Sequence, residues 1–302
     1  MVERVLIAIP TCKRPKSLAR LLDAIAALRT SADISVLVVD NDAEARQGFH
    51  LCRHLAPDYR WPLKAVIEPR RGIAAARNRL VSEALRSEAH FIAMIDDDEW
   101  PGPNWIAHFL ETQKRTGADI LQGSILFVRD RAGSRAVPDI CHATGLVDML
   151  QGAGNLLIRR QVLEQTSTPW FDPAFGLTGG EDLDFFVRLK RAGYRFGWAN
   201  EAVVFGRETA LRRGLGWTVR RAYSNGNSDM RVLLKYRQGA MPIALESLKI
   251  MGALLLSLPL ALILGLSPNH RSAPLVMFMR AVGKLTAMLG MRYNEYALVH
   301  GE

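Results

Sequence analysis

Phe91-Ile92-Ala93-Met94-Ile95-Asp96-Asp97-Asp98-Glu99 is a short apolar run that stops on consecutive carboxylates. A run this short and apolar throughout reads as a strand buried on both faces. Val5 to Ile9, Ile34 to Val39 and Lys64 to Ile67 are of the same kind, each bounded by polar residues or proline. Between them lie helical patterns: Leu18, Leu21, Leu22 and Ile25 recur at helical spacing, with Ser17 placed to cap. Ile73, Ala76, Leu80 and Ala84 repeat the pattern after Gly72. Strands alternating with amphipathic helices predict an α/β fold, a mainly parallel sheet with flanking helices. Such sheets bind ligands beyond the carboxyl ends of their strands. The residues there are Pro10-Thr11, Asp40-Asn41-Asp42, Glu68-Pro69-Arg70-Arg71 and Asp96 to Glu99.

The whole chain has room for a large core: 302 residues, 49% hydrophobic and 23% charged. With 24 Gly and 14 Pro, collagen-like and disordered readings are excluded. The net charge of +9 calls for an anionic partner. Most of the excess sits in residues 207–237, where eight Arg and Lys face Glu208 and Asp229. Cys12, Cys52 and Cys141 have neither disulfide-framework nor zinc spacing, which fits a reducing compartment. The apolar run at the amino terminus is short for a secretory signal, so a cytosolic start is expected.

From Ile250 to Asn269 no residue is ionisable, and Pro259 in mid-run predicts a kink. Ala273 to Met291 is apolar apart from Arg280 and Lys284, an i, i+4 pair suited to an interfacial helix or the return arm of a hairpin. The expectation is a pair of membrane-associated helices at 241–302, with the basic stretch before them meeting anionic headgroups on the cytosolic side. Two buried helices of a soluble domain are the alternative.

On an extended segment Asp96 and Asp98 share a face and Asp97 points away. Paired carboxylates at a strand end suit Mg2+ or Mn2+ carrying a diphosphate; a solvated acidic turn is the plain alternative. Gly179-Gly180-Glu181-Asp182 opens a helix, where first-turn acids are favoured by the dipole and an ionised one can take a proton from a hydroxyl. Simple capping explains the same pattern. Asp40 is suited to accept from a pyrimidine N–H or merely to end its strand while Asp42 caps the next helix. Arg71 and Gly72, before the helix of Arg77 and Asn78, read as a phosphate or base contact or as a solvated basic turn. Phosphate-binding P-loop, dinucleotide, zincin and hydrolase-elbow motifs are absent.

Taken in order, IPTCKRPKSLARLL, VLVVDND, RRGIAAARN, IDDDEWPGPNW, GAGNLLIRR and FDPAFGLTGGEDLDFFVRLKRAGYRFGWANEAVV resemble a family 2 glycosyltransferase of the GT-A type over roughly residues 4–240. The later WTVRRAYSNGNS stretch is similar to the branch that builds lipid-linked repeat units of bacterial exopolysaccharides. The resemblance implies a Rossmann-like sheet with a nucleotide-sugar half at about 1–130 and an acceptor half at about 131–240. It implies one inverting transfer from a nucleotide-sugar, UDP first, to a polyprenyl-diphosphate-linked saccharide at the cytoplasmic face of the inner membrane. Nucleic acid is not an expected partner.

By the same resemblance Asp40 binds the nucleobase with Thr11 and Arg71 nearby. Asp96 contacts ribose, Pro10, Arg77 and Asp97 complete the donor site, and Asp98 holds Mn2+ or Mg2+. Asp182 is the general base and Glu181 contacts or orients the acceptor. Gly154, Asn155 and Gly180 face the sugar or acceptor, and Arg220 and Arg221 meet a pyrophosphate, lipid headgroups being the competing role. Two departures stand out. Where many relatives carry a histidine after the strand following the acidic motif, this chain has Gly206-Arg207-Glu208, with Glu208 a stand-in; and Trp217 lacks the Arg before it that marks processive synthases. A sugar-1-phosphate nucleotidyltransferase would need a glycine-rich loop that IPTCKRP lacks, and a degenerate binding protein is disfavoured by Asp96, Asp98 and Asp182.

Overall fold

The computed structural model describes residues 2–128, 137–138, 142–207, 214–264 and 272–294. Glu208, named above as a stand-in metal ligand, and the end of the apolar run at 265–271 lie outside these residues. The chain folds as two compact units. The first holds residues 1–176 and 184–208; the second holds 177–183 and 209–297.

The first unit is built on a ten-stranded sheet. Its leading strands, β1 (Arg4–Thr11), β2 (Asp33–Asp40), β3 (Leu63–Ile67) and β4 (Phe91–Ile95), are the apolar runs of the sequence, the first three lengthened by one to three residues and β4 unchanged. They are parallel, in the order β3-β2-β1-β4. Beyond β4 the sheet is mixed. It continues through β9 (Asn155–Arg159), β6 (Ile120–Val128), β10 (Phe196–Arg207) and β5 (Glu99–Pro101). β9 runs antiparallel to both neighbours, β10 is parallel to β6, and β7 (Val137–Pro138) and β8 (Gly145–Val147) pair at the side.

Each face carries its own apolar layer because alternate strand residues point opposite ways. Val5, Ile7 and Ile9 pack with Leu18, Leu21, Leu22 and Ile25 of α1 (Pro15–Ala26) and with α4 (Trp105–Thr116). Leu6 and Ala8 pack with Ala74, Ala76 and Leu80 of α3 (Ile73–Ala84), and with Val162 and Leu163 of α5 (Arg160–Gln165). Each aliphatic side chain so buried is worth about 1.5–3 kcal/mol. Two caps differ from expectation. Pro15 takes the first position of α1, so Ser17 falls inside the helix rather than at its cap. α2 (Gln47–Leu55) starts four residues beyond Ala43, so Asp42 cannot cap it; the Phe49 N–H in its first turn donates instead to Asp40 Oδ2 at 2.9 Å.

Between Ala199 and Val204 the β10–β6 register shifts, and Asn155 fills the irregularity. Its Nδ2 donates to the Ser124 and Ala202 carbonyls at 3.0 and 2.9 Å, and its Oδ1 accepts from Trp105 Nε1 at 2.8 Å. Asn155 is 0% exposed, and its polar atoms are consumed in closing the sheet.

The second unit contains α7 (Leu215–Tyr236), α8 (Met241–Leu264) and α9 (Ala273–Met288). α7 and α9 approach at glycines: a Cβ on Gly226 would lie 2.1 Å from Arg280 O, and one on Gly283 would lie 2.1 Å from Tyr223 O. Asn227 Nδ2 donates to Thr286 Oγ1 and to Met291 O at 3.3 and 3.0 Å. Arg280 and Lys284 do not form a free basic face on α9. Arg280 Nη2 pairs with Asp229 of α7 at 2.6 Å, and Lys284 pairs with Glu246 of α8, because a charge on an apolar helix is stabilised by a partner.

The helix α8 continues through Pro259, which leaves the Leu255 carbonyl without its usual donor. At 1.5 Å per residue α8 spans about 36 Å, and by length and composition it can cross a membrane. Only 11% of its most apolar window is buried, with Leu255, Leu258, Leu262 and Ile263 exposed, so it is not a core helix of a soluble domain. The α6 helix (Glu181–Arg191) belongs to both units, Glu181–Leu183 to the second and Asp184 onward to the first.

Replacing Asn155 with Ala strands two strand carbonyls and one indole N–H, so Asn155→Ala is expected to lower stability by about 3 kcal/mol or more. Urea unfolding measures this, and a loss under about 1 kcal/mol would show that Asn155 does not hold the bulge.

Candidate functional site

The carboxyl ends of β1, β2 and β4 bring together Thr11, Asp40 and Asp96 to Asp98. Asp96 to Asp98 form a turn between β4 and β5, not the extended segment the sequence suggested; Glu99 N–H closes it on Asp96 O at 3.2 Å. Asp97 nevertheless points inward, as strand alternation implied. It is 6% exposed and accepts from Thr11 Oγ1 at 2.8 Å and Arg14 Nη1 at 3.1 Å. Burial pushes its carboxyl up to about 7 against the opposing pull of Arg14.

Asp96 and Asp98 are half-buried and face cations. Arg14 Nη1 lies 3.2 Å from Asp98 Oδ2, so one guanidinium serves two neighbouring carboxylates. Arg77 Nη2 lies 3.2 Å from Asp96 Oδ1. Arg77, expected at the donor, is itself buried, and its place is behind Asp96, which it orients. Gly154 borders the cluster: a Cβ there would lie 3.2 Å from Asp96 Oδ2 and 3.0 Å from Glu99 Oε1, so a side chain would crowd these oxygens.

Asp40 is 1% exposed. Its Oδ1 accepts from the Asp42 N–H at 3.0 Å and its Oδ2 from Phe49, while burial, working against these bonds, raises its pKa. Pro10 and Thr11 are buried beside it and Arg71 is exposed. Asn41 stitches the next loop: its Nδ2 donates to Glu68 O and Arg70 O at 2.9 and 2.8 Å, and its Oδ1 accepts from Gly72 N–H at 2.8 Å. Arg14 and Asn41 carry this geometry; Asn41 is named above only within its strand-end stretch, and Arg14 is not singled out. Both stand in loops after strands, Asn41 directly after β2 and Arg14 between β1 and the helix that follows.

In the second unit, Gly179 and Gly180 have φ of +77° and +91°, a conformation that favours glycine. They lead into Glu181 and Asp182. Glu181 is 2% exposed. Asp182 is half-buried, and its Oδ1 accepts from the Leu183 N–H at 2.8 Å. Arg220 and Arg221 are exposed on α7.

No group of three His, Cys, Asp or Glu is preformed as a metal site among the described residues. The oxygens of Asp96 and Asp98, with the space Gly154 leaves, fit a hard divalent ion that takes one or two carboxylates and completes its shell with phosphate and water.

A family model described as glycosyl transferase family 2 matches residues 6–164, and one described as glycosyl transferase family group 2 matches residues 91–291. The succinoglycan biosynthesis protein ExoM of Rhizobium meliloti (strain 1021) is 30% identical over 254 residues, 80% of each chain. Among solved structures, the mannosyltransferase PcManGT from Pyrobaculum calidifontis in complex with GDP-Man and Mn2+ aligns with a TM-score of 0.63 at 15% identity. That alignment covers 97% of this chain and 89% of the other. GalNAc-T7 with UDP, GalNAc and Mn2+ aligns at 0.60 and 12% identity over 77% of this chain, which spans only 48% of that one.

Arg14→Met removes the charge partner of a buried carboxylate and is expected to cost about 2–3 kcal/mol. Urea unfolding at neutral pH is the check, and unchanged stability would show that Thr11 alone satisfies Asp97.

Proposed function

The chain belongs to glycosyltransferase family 2, and from that premise we propose that it moves one sugar from a nucleotide-sugar, with UDP as carrier, to a hydroxyl of a lipid-linked saccharide in bacterial polysaccharide synthesis. The chain is a glycosyltransferase with a mixed α/β sheet of GT-A type. The observation that carries the finer reading is the half-buried Asp96 and Asp98, set between Arg14 and Arg77 at the carboxyl end of β4. The ExoM likeness supports a polysaccharide acceptor, and the exposed apolar face of α8 supports one embedded in a membrane. By this reading residues 1–240 carry transfer and 241–302 attach the chain to the cytoplasmic face of the membrane.

Pro10, Thr11, Asp40 and Arg71 border the nucleobase, and Asp96, oriented by Arg77, takes the ribose. Asp97 stays inside and holds the turn. A divalent cation, Mn2+ or Mg2+, held by Asp98 offsets, when bound, the negative charge on the diphosphate. Asp182 takes the proton of the acceptor hydroxyl as its oxygen bonds to the anomeric carbon from the face opposite the diphosphate. The bond from that carbon to the diphosphate oxygen breaks with its electron pair, so the anomeric configuration inverts. Glu181, beside Asp182, contacts or orients the acceptor, and Gly180 gives the turn room. Arg220 and Arg221 meet the acceptor's pyrophosphate.

Asp182→Asn is expected to bind donor normally while transfer falls about 10²–10⁴-fold, the range of a lost general base. Transfer that survives the change would remove Asp182 from that role. In the same titrations Asp98→Ala is expected to bind donor equally weakly in Mn2+ and in EDTA; a retained Mn2+ response would move the metal elsewhere. Isolated membranes carrying the full chain are expected to keep it through high salt and alkaline carbonate. Release by salt alone would leave attachment to the basic stretch and overturn the role given to α8.

A further inference from the structure

Glu181 and Asp182 are preceded by Thr178-Gly179-Gly180, a stretch whose glycines have little torsional preference of their own. What holds it is α7. Ser228 Oγ donates to Gly179 O at 3.0 Å, and Arg231 Nη1 donates to Thr178 Oγ1 at 2.5 Å. Thr178 Oγ1 passes its own proton toward Gly179 O at 3.2 Å, which completes a small closed network. Thr178 and Ser228 are buried, 4% and 7% exposed, so water does not compete freely for these bonds. Ser228 and Arg231 are three residues apart and share one face of α7. Nearby on the same helix, Gly226 and Asn227 fasten α7 to α9.

We infer that Ser228 and Arg231 are positioning residues for the transfer step: the three-helix unit, besides meeting a membrane, sets the place of the carboxylate that opens α6. This rests on the reading of Asp182 as the base. A glycine pair released from α7 would let that carboxylate wander, and a displacement of about 1 Å in a reacting group can cost about 10²-fold in rate. Donor binding draws on residues of the first unit, so the effect falls on kcat and leaves donor KM alone.

The test is a double-mutant cycle on the full-length enzyme in detergent: Thr178→Val, Arg231→Met and both together, with kcat, donor KM and thermal midpoint measured for each. Each single change is expected to lower kcat about 10- to 100-fold with donor KM within about twofold, and the double variant to be no slower than the slower single. Arg231→Lys, which keeps a donor, is expected to recover most of the loss. Effects that multiply in the double variant, a rise in donor KM at constant kcat, or equal losses in Arg231→Lys and Arg231→Met would overturn the inference. If Arg231→Met does not fold, Ser228→Ala serves in the cycle with Thr178→Val under the same criteria. Asp182→Asn separates the two levels. Transfer surviving it defeats the reading of the base, whereas its loss together with an uncoupled cycle defeats the positioning role alone.

Discussion

A single guanidinium between two neighbouring carboxylates is the constraint on which the first unit turns. Asp96, Asp97 and Asp98 stand in one tight turn, and like charges so close repel strongly wherever water is thin. Arg14 meets Asp97 and Asp98 at 3.1 and 3.2 Å, and Arg77 meets Asp96. Because Arg14 directly precedes α1 and Thr11 ends β1, the same contacts tie the start of a helix and the ends of two strands to one point. The paired acids and arginines thus lock the sheet's carboxyl edge. Asp96 and Asp98 stay half-buried while Asp97 is fully consumed in structure.

The second unit solves a different electrostatic problem. α8 exposes a long apolar surface, where an unpaired charge would be costly. Its one buried carboxylate, Glu246, is met by Lys284 of α9 and by Lys249 a turn away, and Arg280 of α9 is met by Asp229 of α7. Glu246 and Lys284 are largely covered between α8 and α9, whereas Arg280 and Lys249 keep an exposed side. Gly226 and Gly283 let the α7 and α9 backbones come close enough for side-chain amides and hydroxyls to reach across, as Asn227 does to Thr286. The same helix α7 reaches the loop before α6, so its packing and the placement of Asp182 share one element.

Much of this was legible in the chain. β1, β2, β3 and β4 were readable because burial on both faces demands an unbroken apolar run, and α1 because Leu18, Leu21, Leu22 and Ile25 fall on one stripe. The acids of the site were readable because they stop those runs. The caps were not: Ser17 and Asp42 have the right chemistry, but Pro15 and the longer loop before Gln47 moved the helix starts, and Asp40 took the free N–H. Arg280 and Lys284 suggested an interfacial helix or a hairpin arm, since their spacing shows a shared face without showing what that face meets.

What the sequence alone determined is the alternation of strands and helices, the carboxylates at the strand ends and the uncharged run in α8, because each follows from local periodicity and composition. Only the tertiary structure decided which carboxylate is buried, which arginine answers it, and that Asn155 closes a bulge. Those outcomes depend on partners far apart in the chain: 83 residues separate Arg14 from Asp97, and 50 separate Trp105 from Asn155. A polar side chain takes its role from whichever group burial leaves it beside, and no local pattern encodes that.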